Sequence, residues 1–332
     1  MPRVAVLDDQ AGESLELWPW ERLGERVSVT PIAHQEDRAE LAGLLQPFDI
    51  VVVMRERTLI DRQLVEQLPN LRLLVTTGPG NAALDLQALV DHGVVVAGSC
   101  YSIDSTVEMT WALLLAVSRR IPAQDRAIKE GRWDHLLGPQ LWGRTLGLVG
   151  LGRIGARVAA VGQAFGMRVM AWSANLTSER CAEVGVELAS REELFGESDF
   201  ISIHINGSAT ARGYVTAEDI SRIRPTAYLV NTSRGFIVDE EALVGALQSG
   251  RIAGAGLDVY VEEPLPRDHP LRGLSNAVLT PHSGYVAIDL YRQWGSEIVD
   301  DIEGFLDGNP INTINPDQPF LDMVTWRWGS QP

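Results

Sequence analysis

The chain is poor in cysteine: Cys100 and Cys181 are the two it has among 332 residues. Two thiols cannot build a metal cluster or a disulfide framework, so no metal is expected, and they suit a reducing compartment. Basic residues are also scarce. Lysine and arginine number 28 against 44 acids, a formal net charge of −16. That balance repels a phosphate backbone, and no basic stripe offsets it, which argues against a nucleic-acid partner. No apolar run reaches the roughly 18 residues of a membrane span. The opening "MPRVAVLDDQ" carries acids and enters a strand pattern at once. It lacks the charged start and apolar core of a signal peptide, and a cytoplasmic enzyme is the expectation. Internal repeats and low-complexity tracts are absent. Glycine and proline are spread along the chain rather than gathered into a linker.

What is present is ordinary for a globular protein, 45% hydrophobic and 22% charged, with length enough for two domains. Short apolar runs alternate with helical patterns. Early strand candidates are "RVAVLDD" (3–9), "DIVVVM" (49–54), "LRLLVTT" (71–77) and "GVVVAGS" (93–99), with the amphipathic "TLIDRQLVEQL" (58–68) between them. Continuous Val/Ile/Leu runs of this kind suit strands buried on both faces, hence a parallel sheet covered by helices. A long helical pattern follows over residues 104–130, which Pro122 kinks or breaks. A second set of strands then begins: "RTLGLVG", "MRVMAW", "DFISIHI", "TAYLVNT", "GAGLDVY" and "AVLTPH". Acids open the helical "DEEALVGALQSG" (239–250) and Gly250 stops it. A last helix is expected over 285–306, and the tail 317–332 carries Trp326 and Trp328. The chain therefore reads as two α/β units.

Only the second unit has a glycine fingerprint. Gly150, Gly152 and Gly155 in "GLGRIG" follow a strand and open a helix whose Ile154, Val158, Val161 and Phe165 fall at helical spacing. Gly150 permits the tight turn, Gly152 the approach of a pyrophosphate, and Gly155 close packing of helix on strand. The helix N-terminus presents N–H groups and a partial positive charge to the phosphates. The next strand should end in an acid that holds the cofactor's ribose hydroxyls. In "VMAWSANLT" (169–177) that place belongs to Ser173. An acid there would repel a 2′-phosphate. Ser173 removes the repulsion, and Asn175 offers a second polar group, so the expected cofactor is NAD or NADP, leaning slightly to NADP. Arg180, seven residues on, has a reach that spacing alone does not define.

Three further strand ends carry polar residues: Arg234 in "NTSRG", Glu262 and Glu263 in "LDVYVEEP", and His282 in "LTPHSG". Ligands of open parallel sheets bind beyond the carboxyl ends of strands, so these residues can converge. Each alone has a plain structural explanation; the set of three is what points to chemistry.

These blocks resemble the D-isomer-specific 2-hydroxyacid dehydrogenases. "LWGRTLGLVGLGRIG", "NTSRGFIVDEEAL", "AGLDVYVEEPLP" and "NAVLTPHSGY" match family blocks in family order, with "LLVTTGPGNAALDL" and "STVEMTWALLLAVSR" upstream. The likeness runs from about residue 4 to 316. It implies two Rossmann-like doubly wound parallel-sheet α/β domains with an active-site cleft between them. Residues 1–101 and 285–332 form a discontinuous substrate domain, and residues 102–284 bind NAD(P). It implies Arg234 as the substrate-binding arginine, Glu263 as the acid of a dyad and His282 as the proton-transfer residue. Arg153, Ile154, Thr232 and Asp258 join the cofactor contacts, Asp258 toward the nicotinamide amide. Gly78, Pro79, Gly80 and Asn81 form the substrate loop. For Asn81 the plain alternative is turn chemistry, and for Asp258 a strand-end cap. Arg55 and Arg57 can line the substrate side or simply form a solvated charged loop. His204 reads as structural. A homodimer through the cofactor domain is implied, with the apolar stretch 107–117 and Trp111 as a contributor and core packing as the alternative.

The chemistry suits a 2-keto acid and its D-2-hydroxy acid. Arg234 clamps carboxylate and carbonyl oxygens with its planar fork. His282 donates a proton to the carbonyl oxygen as hydride arrives, and Glu263 fixes its tautomer and favours imidazolium. An acid at 263 argues against formate oxidation, which needs no proton acceptor. Two alternatives stand: a short-form D-3-phosphoglycerate dehydrogenase, since 332 residues leave no room for an added regulatory domain, and a dinucleotide-sensing corepressor-like binding protein.

Overall fold

A computed structural model describes residues 1–35, 37–207 and 209–321. Trp326 and Trp328 lie outside the described residues. The chain divides into two compact units, residues 1–102 with the chain from Val286, and residues 103–285. No helix among the described residues is long and apolar enough to cross a membrane.

The first unit is a five-stranded parallel sheet: β1 (Arg3–Leu7), β2 (Ser28–Ile32), β3 (Ile50–Val53), β4 (Leu73–Thr76) and β5 (Val95–Gly98), in spatial order β2-β1-β3-β4-β5. All four residues of β3 and of β4 are buried, as both faces are covered. That is why their sequences run apolar without alternation. The order reverses between β1 and β3, which marks a switch point where chain ends open a crevice. Aspartates start the helices of this unit. Asp37, Asp61 and Asp85 each accept first-turn N–H groups, at helices Arg38–Leu45, Arg62–Val65 and Leu86–Asp91. The long helix Ile288–Leu306 closes the unit, and Gly295 gives it access to Trp18. A Cβ at 295 would stand 2.3 Å from the indole.

One residue of that helix opposes its own setting. Asp301 is 1% exposed, with Oδ1 accepting from Asn312 Nδ2 at 2.8 Å and Oδ2 lacking a partner among the described residues. Burial pushes its carboxyl up to about 8, and the nearby Glu297 and Asp300 add to the rise. The folded state thus keeps a proton that the unfolded chain sheds above its ordinary value of 3.8. Stability therefore falls as pH rises between roughly 4 and 8. Asp301→Asn keeps the acceptor and removes the titration. We expect it to raise stability at pH 8 by about 2–4 kcal/mol, with the gain shrinking towards pH 4. Urea melts at the two pH values check this; an equal effect at both would contradict it.

The second unit holds seven parallel strands: β6 (Thr145–Val149), β7 (Arg168–Trp172), β8 (Glu187–Leu188), β9 (Phe200–Ile203), β10 (Tyr228–Asn231), β11 (Gly254–Leu257) and β12 (Ala277–Leu279), in order β12-β11-β10-β9-β6-β7-β8. This is a Rossmann order with one added strand, and its reversal lies between β6 and β9. Separate apolar clusters cover its two faces. One gathers around Phe195, Ile201, Leu229 and Ile237, the other around Trp111, Leu146, Val158 and Phe200.

Several local expectations need correction. The break expected near Pro122 is not among them: the pattern 104–130 forms two helices, Asp104–Ser118 and Ile121–Lys129, broken at Arg120 (φ 55°) with Pro122 in the first turn of the second. Proline lacks the N–H that a continuing helix needs. The stretch 58–68 is helical only at Arg62–Val65, because Ile60 instead bridges Leu84. Strands β2 and β8 went unread. β2 is a half-exposed edge strand containing Pro31, and β8 has two residues, so neither shows an apolar run. The last helix begins at Ile288 rather than 285. Finally, 107–117 packs most of its large side chains into the core, while Glu108 and Ala112 face outward. Val107, Trp111, Leu113, Leu114 and Val117 are all buried, and the Trp111 ring lies 5.1 Å from Phe165.

Candidate active site

The glycine fingerprint lies at the switch point of the second sheet. Gly150 follows β6 with φ +101°, a conformation that L side chains rarely adopt, and a Cβ there would meet the His204 carbonyl oxygen at 2.5 Å. A Cβ on Gly155 would meet the Gly150 carbonyl oxygen at 2.4 Å, so helix and turn touch through backbone. Gly152 differs. It caps the helix Arg153–Ala164 without a side-chain hydrogen bond, and nothing lies within 4 Å of where its Cβ would be. The helix start, with Arg153 and Ile154 in its first turn, therefore opens on clear space. That is the setting in which helix N–H groups receive a phosphate. A dinucleotide fits the residues present.

Ser173 follows β7 and is half-buried; Asn175 is exposed. Their loop is held from the side by Tyr214, whose hydroxyl accepts from Ala174 N at 2.7 Å and whose ring lies 5.4 Å from Trp172. Arg180 folds back towards the fingerprint, with Nε 3.4 Å from the Leu151 carbonyl oxygen and Nη1 2.9 Å from Glu183. Its reach, undefined in the sequence, is thus to the glycine loop. His204 packs behind the turn with Nε2 2.9 Å from Ser202 Oγ, and burial pulls its imidazole down to about 3. It is neutral at physiological pH and serves structure.

Arg234 leaves β10 on a braced turn. Asn231 is 2% exposed; its Oδ1 accepts from Ser233 N and its Nδ2 donates to the Arg234 carbonyl. Ser233 Oγ donates to Ile203 O, tying the turn to β9. The Arg234 side chain crosses Gly207, where a Cβ would stand 2.6 Å from its Cγ, and Nη1 donates to Ser233 O at 2.7 Å. Thr232 has its hydroxyl 2.8 Å from that of Thr110, which itself donates to Thr106 O. Thr232 must then be the donor, and its side chain ties the strand end to the helix Asp104–Ser118.

Glu263 and His282 meet. The His282 Nδ1 stands 2.6 Å from Glu263 Oε2, while Glu263 Oε1 accepts from Tyr260 N at 2.8 Å. The two side chains are 22% and 33% exposed, so the pair is partly screened from water yet open to a ligand. His282 has φ +52°, rare for a residue with a Cβ and costing of order 1–3 kcal/mol. Such strain persists only where the surroundings impose it, and Asp258 imposes it here. Its buried carboxylate accepts from Thr280 Oγ1 and from Ser283 N and Gly284 N at 2.9 and 2.8 Å, clamping both sides of residue 282. The cap reading of Asp258 thus describes what its carboxylate does. Tyr260 is the residue that sequence reasoning missed. Its hydroxyl lies within donating distance of both Leu257 O and Thr280 O, its backbone fills the space over Gly235, and its N–H holds Glu263. Burial and the nearby Asp258 and Glu263 carboxylates push the phenol up, so it stays neutral. An aromatic with a polar tip between the strand and its two acids was the available signal.

Arg55 and the loop 78–81 belong to the first unit. Residues 78–81 are buried at the carboxyl end of β4. Gly78 N donates to Ser99 Oγ at 2.9 Å and Pro79 has no N–H, so neither of these residues has a backbone donor to spare for a ligand. The Asn81 side chain is committed to the turn: Oδ1 accepts from Glu56 N and Ala83 N, and Nδ2 donates to Thr76 Oγ1. Its assignment as a side-chain substrate ligand gives way to turn chemistry. Arg55 lies across Gly78 and over the Tyr101 ring at 5.7 Å.

A fingerprinted Rossmann sheet beside an arginine and a carboxylate–imidazole pair defines a dinucleotide-dependent oxidoreductase site. Residues 111–284 match the family model "D-isomer specific 2-hydroxyacid dehydrogenase, NAD binding domain". The chain is 37% identical over 264 residues to a glyoxylate reductase of Korarchaeum cryptofilum, covering 77% of this chain and 80% of that one. It superposes with TM-score 0.89 and 34% identity on a putative D-3-phosphoglycerate dehydrogenase from Ralstonia solanacearum, over 97% and 99% of the two chains. An NADPH-dependent glyoxylate/hydroxypyruvate reductase from Sinorhizobium meliloti, solved with NADP and malonate, gives TM-score 0.75 and 27% identity over 97% and 99%. The chain spans 53% to 62% of the length of the curated D-3-phosphoglycerate dehydrogenases that it matches. The chain belongs to the D-isomer-specific 2-hydroxyacid dehydrogenase family, NAD(P)-dependent oxidoreductases. The corepressor reading yields to the enzyme one.

Proposed function

We propose that this protein is a reductase of short 2-keto acids, of the glyoxylate and hydroxypyruvate type, working on an unsubstituted or small side chain. The observation that carries the reading is the 2.6 Å contact between Glu263 and a His282 held in a strained backbone state. Structural histidines do not need such a setting; proton donors with a fixed direction do. NAD(P)H supplies the hydride when bound. Gly150, Gly152, Arg153, Ile154 and Gly155 would hold its pyrophosphate, with Thr232 at the nicotinamide end and Asp258 acting there through the loop that it clamps. Glu263 keeps the proton on Nδ1 of His282, so Nε2 is the atom that hands a proton to the carbonyl oxygen and takes it back in oxidation. Arg234 orients the carboxylate and carbonyl oxygens as a bidentate donor. The second unit is the cofactor domain, and the first supplies a carboxylate subsite from its loop 78–81 with Arg55 at its edge. A short-form D-3-phosphoglycerate dehydrogenase is the second reading, favoured by Arg55 as a cation beside that loop.

The adenosine end favours NADP. Ser173 stands where an acid would repel a 2′-phosphate, and the Arg180 guanidinium lies by the glycine loop. A panel of glyoxylate, hydroxypyruvate, 2-oxobutyrate and 3-phosphohydroxypyruvate, each with NADH and NADPH, tests substrate class and cofactor together. We expect glyoxylate or hydroxypyruvate to lead, with kcat/KM for NADPH equal to or above that for NADH. An NADH advantage above about 100-fold, roughly 2.7 kcal/mol, refutes the cofactor reading. Turnover confined to 3-phosphohydroxypyruvate replaces the first substrate reading with the second.

The working form is a cytoplasmic homodimer that pairs cofactor domains through the segment 130–142. Trp133, Leu137 and Trp142 there are 79%, 92% and 73% exposed. Large apolar side chains gathered in this way mark an interaction surface. Sedimentation equilibrium is expected to return twice the 36.4 kDa chain mass, and Leu137→Asp to shift it towards one. A monomeric wild type rules the dimer out.

A further inference from the structure

Beyond the helix Ile288–Leu306 the chain returns to the five-stranded sheet. Thr313 bridges Ala97, Ile314 N donates to Val96 O at 2.9 Å, and Gly98 N donates to Asn312 O at 3.1 Å. A turn closed between Asn315 and Gln318 then brings residues 319–321 to the carboxyl edge of the sheet. There Leu321 N donates to the Pro79 carbonyl at 2.8 Å. The Phe320 ring and the Pro319 carbonyl lie over Gly80, where a Cβ would stand 2.3 Å from the ring and 2.7 Å from the oxygen. Gly80 is outside the left-handed region, so space alone requires glycine at this position.

The loop beneath holds two donors that the described residues leave unused. The N–H groups of Gly80 and Asn81 have no hydrogen-bond partner among the described residues, although both residues are buried. Buried amides without partners are rare. Successive backbone N–H groups of a turn are the kind of donor set that receives an anion.

We infer that residues 319–321 are a strap that positions this carboxylate subsite. Phe320 and Leu321 are positioning residues: they act through Gly80 and Pro79 and fix the direction of the two amides. The inference rests on the 2-keto acid reading above. Hydrogen bonds to a charged group are sensitive to direction. Loosening the strap therefore weakens substrate binding and leaves cofactor binding and the chemical step alone.

The test compares Phe320→Ala, Phe320→Leu, Gly80→Ala and the double variant Gly80→Ala/Phe320→Ala. Phe320→Ala is expected to raise KM for glyoxylate at least fivefold, with kcat and KM for NADPH within twofold of wild type. Phe320→Leu, which still covers Gly80, should restore KM to within twofold. Gly80→Ala should raise KM further, and removing the ring in the double variant should recover at least threefold of that loss. A KM for glyoxylate unmoved in Phe320→Ala overturns the strap, as does a uniform loss in kcat and both KM values. So does a double variant no better than Gly80→Ala. Where Gly80→Ala fails to fold, the Phe320 pair decides alone. Oxalate binding to NADPH-loaded protein, measured by calorimetry, makes the same comparison without turnover. An inactive wild type whose oxalate affinity follows the pattern would thus count against the proposed reaction and for the strap.

Discussion

Replacing His282 with alanine should lower kcat for 2-keto acid reduction by about 10²- to 10⁴-fold, the range of one positioned acid–base group. KM for NADPH should stay within a few-fold, because the fingerprint loop and helix are separate from the dyad. The side chain itself carries little of the local architecture. Asp258 clamps Thr280, Ser283 and Gly284, so the loop keeps its path without the imidazole. Alanine at a positive φ is no better accommodated than histidine, so stability should change little, while Glu263 still accepts from Tyr260 N and remains partly exposed. Stopped-flow oxidation of NADPH with glyoxylate, plus a fluorescence titration of cofactor, separates the two effects. Unchanged turnover in a folded, cofactor-binding variant would overturn the assignment of His282. Loss of cofactor affinity in step with turnover would instead make His282 structural.

Replacing Arg234 with alanine should cost about 2–5 kcal/mol in kcat/KM, roughly 30- to 5000-fold, as expected for removing one partner of a desolvated charge pair. Both parameters should move. An arginine that held only the carboxylate would raise KM and spare kcat; one that also reaches the carbonyl oxygen stabilises charge that grows in the transition state. Arg234→Lys should recover little, since a point charge cannot reproduce the fork. The turn will survive, because Asn231 and Ser233 brace it through backbone atoms rather than through the guanidinium. Steady-state kinetics on both variants is the check. A lysine variant with near wild-type kcat/KM would show that charge alone suffices and would remove the bidentate role.

The inner strands of both units were displayed clearly, because those buried on both faces, such as β3 and β4, run apolar without alternation. The second unit adds its fingerprint glycines, which are required by contacts within a few residues or between neighbouring strand ends. The edge strands β2 and β8 lack that two-sided burial and left no pattern. The loop 78–81 was legible only in part. Its glycines and Asn81 look like ligand-binding residues, yet the Asn81 side chain serves Glu56, Thr76 and Ala83, and the absence of a side chain at Gly80 is explained by Phe320, 240 positions away in the chain. The stretch 107–117 left two readings open, because an apolar run does not disclose whether its own sheet or another molecule covers it; its large side chains pack on the sheet.

By itself, the sequence determined the fold class, the dinucleotide fingerprint, the missing acid at 173 and the three residue types that carry the proposed chemistry. The first three follow from local composition and spacing, which backbone periodicity converts into burial and strand ends; the roles of Arg234, Glu263 and His282 came from the resemblance of their blocks to the family. Tertiary structure alone decided that Glu263 and His282 touch, that Asp258 clamps the loop of His282, that Arg180 turns back to the glycine loop, and that the C-terminal segment covers Gly80. Each is a contact between chain segments whose separation along the sequence has no bearing on their separation in space. It depends on which strands the crossovers bring side by side.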